Sequence, residues 1–311
     1  MIIREATSDD KPAIVELLKS SLGEGFVKKS ETVWDFKHHQ NPFGTSEVLL
    51  AFENEQLIGV RAFMQWRWQL KDTTWIAYRA VDTATHPEHQ GKGIFKKLTL
   101  EALEIVKLKS ETFIFNTPND KSRPGYLKMG WQVVDAIPIA LVPTVLYSLT
   151  AFFSKKAANQ NQIHTDRLDE ICVIHNHNMS KKSVIFTPKS AAYLRWRFEQ
   201  NPLQHYFVIS TKDWYVALYV KKHKFYKELR VAEIISPNTN VDAIRKVIVQ
   251  QAMKNRCFLI TVADKNIFRL RIFGKFGPKL TFKPITEDTE FINKALSINS
   301  WGYSLGDLEL F

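Results

Sequence analysis

"THPEHQGKGIFKKLTLEAL", residues 85–103, sets Gly91 and Gly93 one residue apart at the start of an amphipathic helix. The run before it, "WIAYRAVDTATH" (75–86), reads as a long strand. A strand that turns through bared backbone into a helix offers free N–H groups and the positive end of the helix dipole, which suit phosphate. Glycine matters there because a β-carbon would stand between amide and oxygen. Lys92, Lys96 and Lys97 add positive charge. Two familiar phosphate cradles do not fit. A P-loop needs Ser or Thr after Gly91-Lys92, where Gly93 stands, and a dinucleotide fingerprint needs a small residue where Lys96 stands. The residues leave open a pyrophosphate-binding turn or a glycine-rich turn without a ligand.

Outward from this turn the chain alternates strands and helices. Residues 1–22 read as a strand and then a helix, with Ile14, Leu17, Leu18 and Leu22 at helical spacing. A second helix is expected around 30–40, ending at Asn41-Pro42. "SEVLLAFENEQLIGVRAFMQWRWQL" gives two strands with a turn at Glu53–Gln56. After the glycine turn come the strand "ETFIFNT", a short helix in "SRPGYLKMG" and one closing strand, "WQVVDAIPIALV". The plan then recurs: "AAYLRWRFEQNPLQHYFVIS" echoes "ETVWDFKHHQNPFGTSEVLLAF", each with Trp-x-Phe, Gln-Asn-Pro and a strand. Hairpin strands at 206–236, a helix at 240–255, the strand "CFLITVA" and a helix near 265–275 complete the second copy. The expected fold class is α/β (α+β): tandem mixed sheets flanked by helices, in two similar units. The expected division is a first domain at 1–143, a linker at 144–163, and a second domain at 164–311 with a C-terminal tail after about residue 287.

The chain has 311 residues, which fits two domains, and 45% apolar with 24% charged residues marks a globular protein. Cys172 and Cys257 are too few for a disulfide framework, so a reducing, cytoplasmic setting is expected. The start carries an acidic pair and no long apolar run, unlike a signal peptide. Net charge is +11, which favours an anionic ligand, yet no nucleic-acid-binding pattern accompanies it and no nucleic-acid partner is expected. Residues 136–153 carry no charge over eighteen positions, but Pro138, Pro143 and four hydroxyl residues dilute them. A strand running into a short linker helix is expected there, without stable membrane insertion. "ICVIHNH" (171–177) offers Cys172, His175 and His177, but no second cluster completes a metal site, and a strand with ordinary histidines is expected. The sequence is silent on oligomeric state.

"VDTATHPEHQGKGIFKKL" resembles the acetyl-CoA-binding motif of the GNAT superfamily of N-acetyltransferases, in which a strand and a proline precede Arg/Gln-x-x-Gly-x-Gly/Ala at a helix start. Gln90, Gly91 and Gly93 match, with Ile94 in the last small or apolar slot. A further motif of that family, Asn seven residues before Tyr and then Lys-x-Gly-Phe, is met by Asn119, Tyr126, Lys128, Gly130 and Trp131. Pro124-Gly125 departs from it, which starts the helix at Ser122 and puts Asn119 on a loop. The resemblance covers about residues 1–142. The second copy has "SPNTNVDAIRK" at the corresponding turn, with no Gly-x-Gly and with Asp242 in the first helical turn, where a carboxylate repels pyrophosphate. It reads as a degenerate unit.

The resemblance implies transfer of an acetyl group from acetyl-CoA to a primary amine of a small, anionic or sugar-like acceptor by direct attack. It implies acetyl-CoA contacts from Thr83, Ala84, Thr85, Gln90, Gly91, Lys92, Gly93, Ile94, Phe95, Asn119, Ser122 and Tyr126. A main-chain N–H around Thr83–Thr85 would hold the oxyanion, and Tyr126 would protonate the departing thiolate. The base stays open among Asp82, His86, Glu31 and water. Resemblance to the tandem aminoglycoside-acetylating branch would make the terminal carboxylate of Phe311 a base, although the domain that precedes the terminus in that branch is missing here. The acceptor would lie beneath Trp34, Trp66 and Trp68 if those rings face a cleft, the alternative being core positions. Two rival readings are an aminoacyl transferase of the same fold acting on cell-wall precursors, and a non-catalytic CoA-binding protein.

Overall fold

The computed structural model describes residues 1–23, 28–109, 112–147, 167–237 and 241–308. The chain divides into two compact units, each a mixed sheet flanked by helices. The first holds Met1–Val134 together with Lys279–Ser300, and the second holds Asp135–Pro278 with the described residues from Trp301 onward.

In the first unit, β1 (Ile2–Glu5), β2 (Glu47–Glu53), β3 (Gln56–Leu70) and β4 (Thr73–Thr85) form an antiparallel run. Asn54 and Glu55, both with positive φ (48° and 66°), make the tight turn between β2 and β3, as the right-handed strand twist requires. β5 (Phe113–Asn116) pairs parallel with β4, and the returning strand Lys279–Pro284 pairs antiparallel with β5. β6 (Gln132–Ala136) closes the order. Helix α1 (Lys11–Leu22) begins with Pro12 in its first turn and buries Ile14, Val15, Leu17 and Leu18. α2 (Glu31–His38) starts at Ser30, whose hydroxyl accepts the Val33 N–H as an N-cap. α3 (Ile94–Lys109) packs Ile94, Leu98, Ala102 and Val106 onto the sheet. It sits close because Gly59 lies beneath it: a β-carbon there would come within 2.7 Å of Ile94 and 2.9 Å of Leu98. α4 (Arg123–Lys128) is the short helix expected before Gly130.

The second unit repeats the plan. Phe207–Ser210, Tyr215–Lys222 and Lys227–Ile235 run antiparallel, and Leu259–Val262 pairs parallel with Lys227–Ile235. Local detail recurs as well. Ser190 caps its helix through the Tyr193 N–H as Ser30 does through Val33. The Asn201 side chain accepts from Leu203 N–H at 2.9 Å as that of Asn41 does from Phe43 N–H at 3.0 Å.

Four expectations need correction. "WQVVDAIPIALV" is two strands, not one: β6 stays in the first sheet, while Ile139–Pro143 pairs antiparallel with Leu259–Val262 in the second. Pro138, which has no N–H to donate, separates them. The expected cut at residue 143 therefore does not coincide with the division of the sheets. In return, Lys279–Pro284 joins the first sheet, and Phe291 of the helix Thr289–Ala295 stacks on Trp75 at 4.3 Å. Residues 287–300 are thus not a tail. The helix expected near 265–275 is absent. An Asx turn from Asp264 to the Asn266 N–H opens irregular chain that buries Ile267 and Phe268, and Ile272–Gly274 is a strand. Finally, "ICVIHNH" lies in the helix Leu168–Ser180, where Leu168, Ile171 and Cys172 form one buried face at helical spacing.

Trp301, Leu305 and Leu308 are buried, and Trp301 bridges to Ile185. Residues 148–153 and Phe311 lie outside the described residues. Among the described residues no helix is long and apolar enough to cross a membrane.

Candidate active site

β4 is the axis of the site. Its register with β3 shifts between Val60↔Ala84 and Ala62↔Val81, and Asp82 takes φ 40° at this bulge. On its other edge the ladder to β5 runs only from Ala77↔Phe113 to Arg79↔Phe115, so β4 continues through Thr85 while β5 leaves it. An extended ligand can pair with a strand edge opened this way. Thr83, Ala84 and Thr85 lie on that stretch. The Thr83 hydroxyl donates to Val81 O at 3.2 Å, and Thr85 O accepts from Ser21 Oγ at 2.9 Å.

The chain then turns through Pro87–His89 into Gln90, Gly91, Lys92 and Gly93, all exposed, and enters α3 at Ile94. Gly91 and Gly93 take φ 79° and 77°, a left-handed geometry that side chains resist. No atom lies within 4 Å of where either β-carbon would stand. The glycines are thus required by backbone shape, not by crowding, and the turn presents open backbone at the first turn of α3, whose N–H groups lack intrahelical partners. Such a cradle fits a diphosphate. Gln90 reaches back to Thr85 O at 3.5 Å, and Lys92 lies 3.5 Å from His89 Nδ1. Ile94 is buried, whereas Phe95 is half-buried and meets Tyr126 edge-on at 5.5 Å.

The second motif is compact. The Asn119 amide oxygen accepts the N–H groups of Lys121 (3.1 Å) and Ser122 (2.9 Å) and the Ser122 hydroxyl (3.0 Å), which fixes the loop before α4. Tyr126 is buried between Phe95 and Trp131, and its hydroxyl accepts Arg61 Nη1 at 2.8 Å. Arg61, on β3, also donates to the Thr83 hydroxyl, so one guanidinium joins the β4 bulge to the phenol. No local signal marked Arg61; its one oddity in sequence is a lone charge inside the apolar run "LIGVRAFMQW".

On α2, Lys37 pairs with Asp82, and His38 Nε2 donates to the same carboxylate at 2.9 Å while its Nδ1 meets Ser46 Oγ at 2.8 Å. Burial pushes the Asp82 carboxyl up, but the Lys37 charge and the His38 hydrogen bond outweigh it and hold the group well below the usual carboxylate range. Burial holds His38 below the ordinary histidine range despite Asp82. Asp82 is therefore an ionised, weakly basic carboxylate beside a neutral imidazole. A pocket opens over it, bounded by Leu18, Lys28, Ser30, Val33, Trp34 and Lys37. Of the three tryptophans considered for the acceptor site, Trp34 borders this pocket, while Trp66 and Trp68 are fully buried in the core against Phe115. His86 is bound up in its turn, accepting the Glu88 N–H at 3.4 Å.

Residues 2–134 match the family model of the Acetyltransferase (GNAT) domain. This part of the chain is a GNAT domain. No protein of curated function matches the sequence significantly. Solved structures share the fold at low identity. A GCN5-related N-acetyltransferase from Anabaena variabilis ATCC 29413 is 12% identical with TM-score 0.64, over 92% of this chain and 73% of that one. One from Kribbella flavida is 11% identical with TM-score 0.65, over 91% and 70%. Eis1 from Mycobacterium abscessus is 12% identical with TM-score 0.57, over 96% and 76%. GNAT domains bind acetyl-CoA, and the family match over residues 2–134 supports an acyl-CoA-dependent N-acetyltransferase.

Proposed function

We propose that the first unit transfers an acetyl group from acetyl-CoA to a primary amine of a small acceptor by direct attack. The observation that carries this reading is the left-handed Gly91–Gly93 turn standing at the open end of the parted β4–β5 edge. The pyrophosphate of acetyl-CoA lies on the N–H groups from Gly91 to Phe95, with Gln90 and Lys92 beside it, and pantetheine follows β4 toward Ala84. A main-chain N–H in Thr83–Thr85 holds the oxyanion, and Tyr126 protonates the thiolate. Asn119 and Ser122 shape the loop that borders the donor. The amine enters over Asp82, whose negative charge draws an ammonium group and whose weak basicity leaves the surplus proton to water. Lys28, which lines this pocket, favours an acceptor that also carries an anionic group.

Calorimetry with acetyl-CoA tests the cradle. Gly91→Val and Gly93→Val are expected to abolish binding, since each β-carbon enters space open only to a ligand and each φ is strained for valine. Unchanged affinity in both variants removes the assignment. A transfer assay over an amine panel then separates an acetyltransferase from a protein that only binds CoA.

A further inference from the structure

Arg61 is fully buried, yet no carboxylate pairs with it among the described residues. Nη1 makes both of its hydrogen bonds, and Nε and Nη2 have no partner. Aromatic rings surround the cation instead: Phe63 at 4.6 Å, Tyr126 at 5.3 Å and Phe95 at 5.7 Å from the guanidinium carbon. Two other buried cations are neutralised, Lys37 by Asp82 and Lys189 by Glu233 and Asp307. A desolvated charge with orphaned N–H groups weakens a fold, and ring faces offset only part of that cost. A carboxylate would have removed the cost and also cancelled the field at the Tyr126 oxygen.

We propose that Arg61 is a positioning residue for acyl transfer, which aims the Tyr126 hydroxyl and steadies the phenolate it leaves. The inference rests on the reading of Tyr126 as the general acid. Nη1 occupies a lone pair of the phenol oxygen and repels its proton, so the O–H points away from the guanidinium. When the C–S bond of the tetrahedral adduct breaks, the electron pair stays on sulfur and takes the phenol proton. The phenolate then lies against the uncancelled cation until water returns a proton to it. The amine's surplus proton leaves to water, so amide and thiol are the net products. The bond from Arg61 to Thr83 ties the same cation to the strand that carries the oxyanion donor.

Steady-state kinetics and thermal melting of Arg61→Met and Arg61→Lys, each alone and combined with Tyr126→Phe, test the role. Arg61→Met is expected to lower kcat roughly 10- to 100-fold, the value of a charge-assisted hydrogen bond, with KM for acetyl-CoA little changed. It should melt at the same temperature or higher, because an orphaned charge has gone. Arg61→Lys should recover part of kcat, and Arg61→Met should cost nothing further once Tyr126→Phe is present. The role is overturned if Arg61→Met keeps full kcat, if its loss is as large with Tyr126→Phe as without it, or if both Arg61 variants lose activity only in step with melting temperature. A failure of the underlying reading looks different: Tyr126→Phe alone would then turn over at the full rate.

Discussion

The starts of α3 and of the helix Val241–Lys254 hold the same place in two sheets of one plan, each helix following a long strand and leading to its parallel neighbour. The first is entered through two left-handed glycines over open space. At the second, Asp242 stands in the first helical turn, paired with Arg245 at 2.5 Å. A plan that buries apolar faces thus recurs without the left-handed glycine pair at its helix start. A second contrast concerns two buried lysine–carboxylate clusters, which do not sit at matching positions, since the shared serine and asparagine align Lys37 with Arg197. In the first unit a pocket opens over Lys37 and Asp82. In the second, Lys189 lies buried between Glu233 and Asp307, each 2.7 Å away, with the Tyr193 and Ser304 hydroxyls completing the network. One arrangement leaves a charge reachable; the other sets two carboxylates on one lysine and seals them, with burial and the neighbouring Asp307 pushing the Glu233 carboxyl up.

The comparison breaks most sharply at Tyr126, since in the second unit no helix lies among the described residues between Leu259–Val262 and Pro278 to supply a counterpart. Tyr126→Phe is expected to lower kcat by roughly 10²–10⁴ with little effect on acetyl-CoA affinity, as removal of a general acid does. Stopped-flow and steady-state kinetics, with calorimetry for binding, check it. Equal activity would return Tyr126 to the core beside Trp131.

Next comes the sealed cluster. Asp307→Ala removes one of the two carboxylates on Lys189 and an acceptor of the Tyr193 hydroxyl while Glu233 still pairs the lysine, and should cost about 1–3 kcal/mol, as leaving a buried hydrogen-bonding group unsatisfied does. Chemical denaturation measures it. Loss of activity without loss of stability would mean that the cluster serves chemistry after all.

How far the sequence carries this picture depends on separation along the chain. Gln90–Phe95 and Asn119–Tyr126 are contiguous stretches whose spacing states their geometry, and both units' helix caps sit where serine precedes an apolar helix face. The Asp82–His38 bond joins residues 44 apart, and Arg61 reaches Tyr126 across 65, so neither pairing shows in any local pattern. The exchange of Ile139–Pro143 and Lys279–Pro284 escapes for another reason: alternation and β-branching mark a strand but do not name its sheet. In "ICVIHNH" a short apolar run fits either period, and only the packing of Leu168 with Ile171 and Cys172 decides for helix.

A smaller effect sharpens the contrast at α2. His38 is held below its ordinary pKa, so the unfolded chain takes up a proton that the folded chain refuses. Its contribution is present above about pH 6.5, the unfolded value, and is lost as pH falls toward the lower folded value, at about 1.4 kcal/mol per pH unit for one proton. Denaturation from pH 7.5 to 5.5 should show wild type losing stability more steeply than His38→Gln. Parallel curves would mean that His38 takes up its proton alike in the folded and unfolded chain.

The smallest expected effect is none at all, and it bears on the whole comparison. If the second helix start is chemically silent, acetyl-CoA binds at one site per chain, and Asp242→Ala leaves both stoichiometry and affinity unchanged. The substitution removes an exposed ion pair with Arg245, which is worth little in water, so stability should barely move either. It also removes the negative charge that opposes an anion at that helix start. If that charge alone kept acetyl-CoA away, the variant would gain a second binding event in calorimetry. Silence in the variant therefore says that the second unit lacks the shape for the ligand, with no glycine pair to bring backbone to phosphate, and a second site would move the distinction from backbone geometry to a single charge.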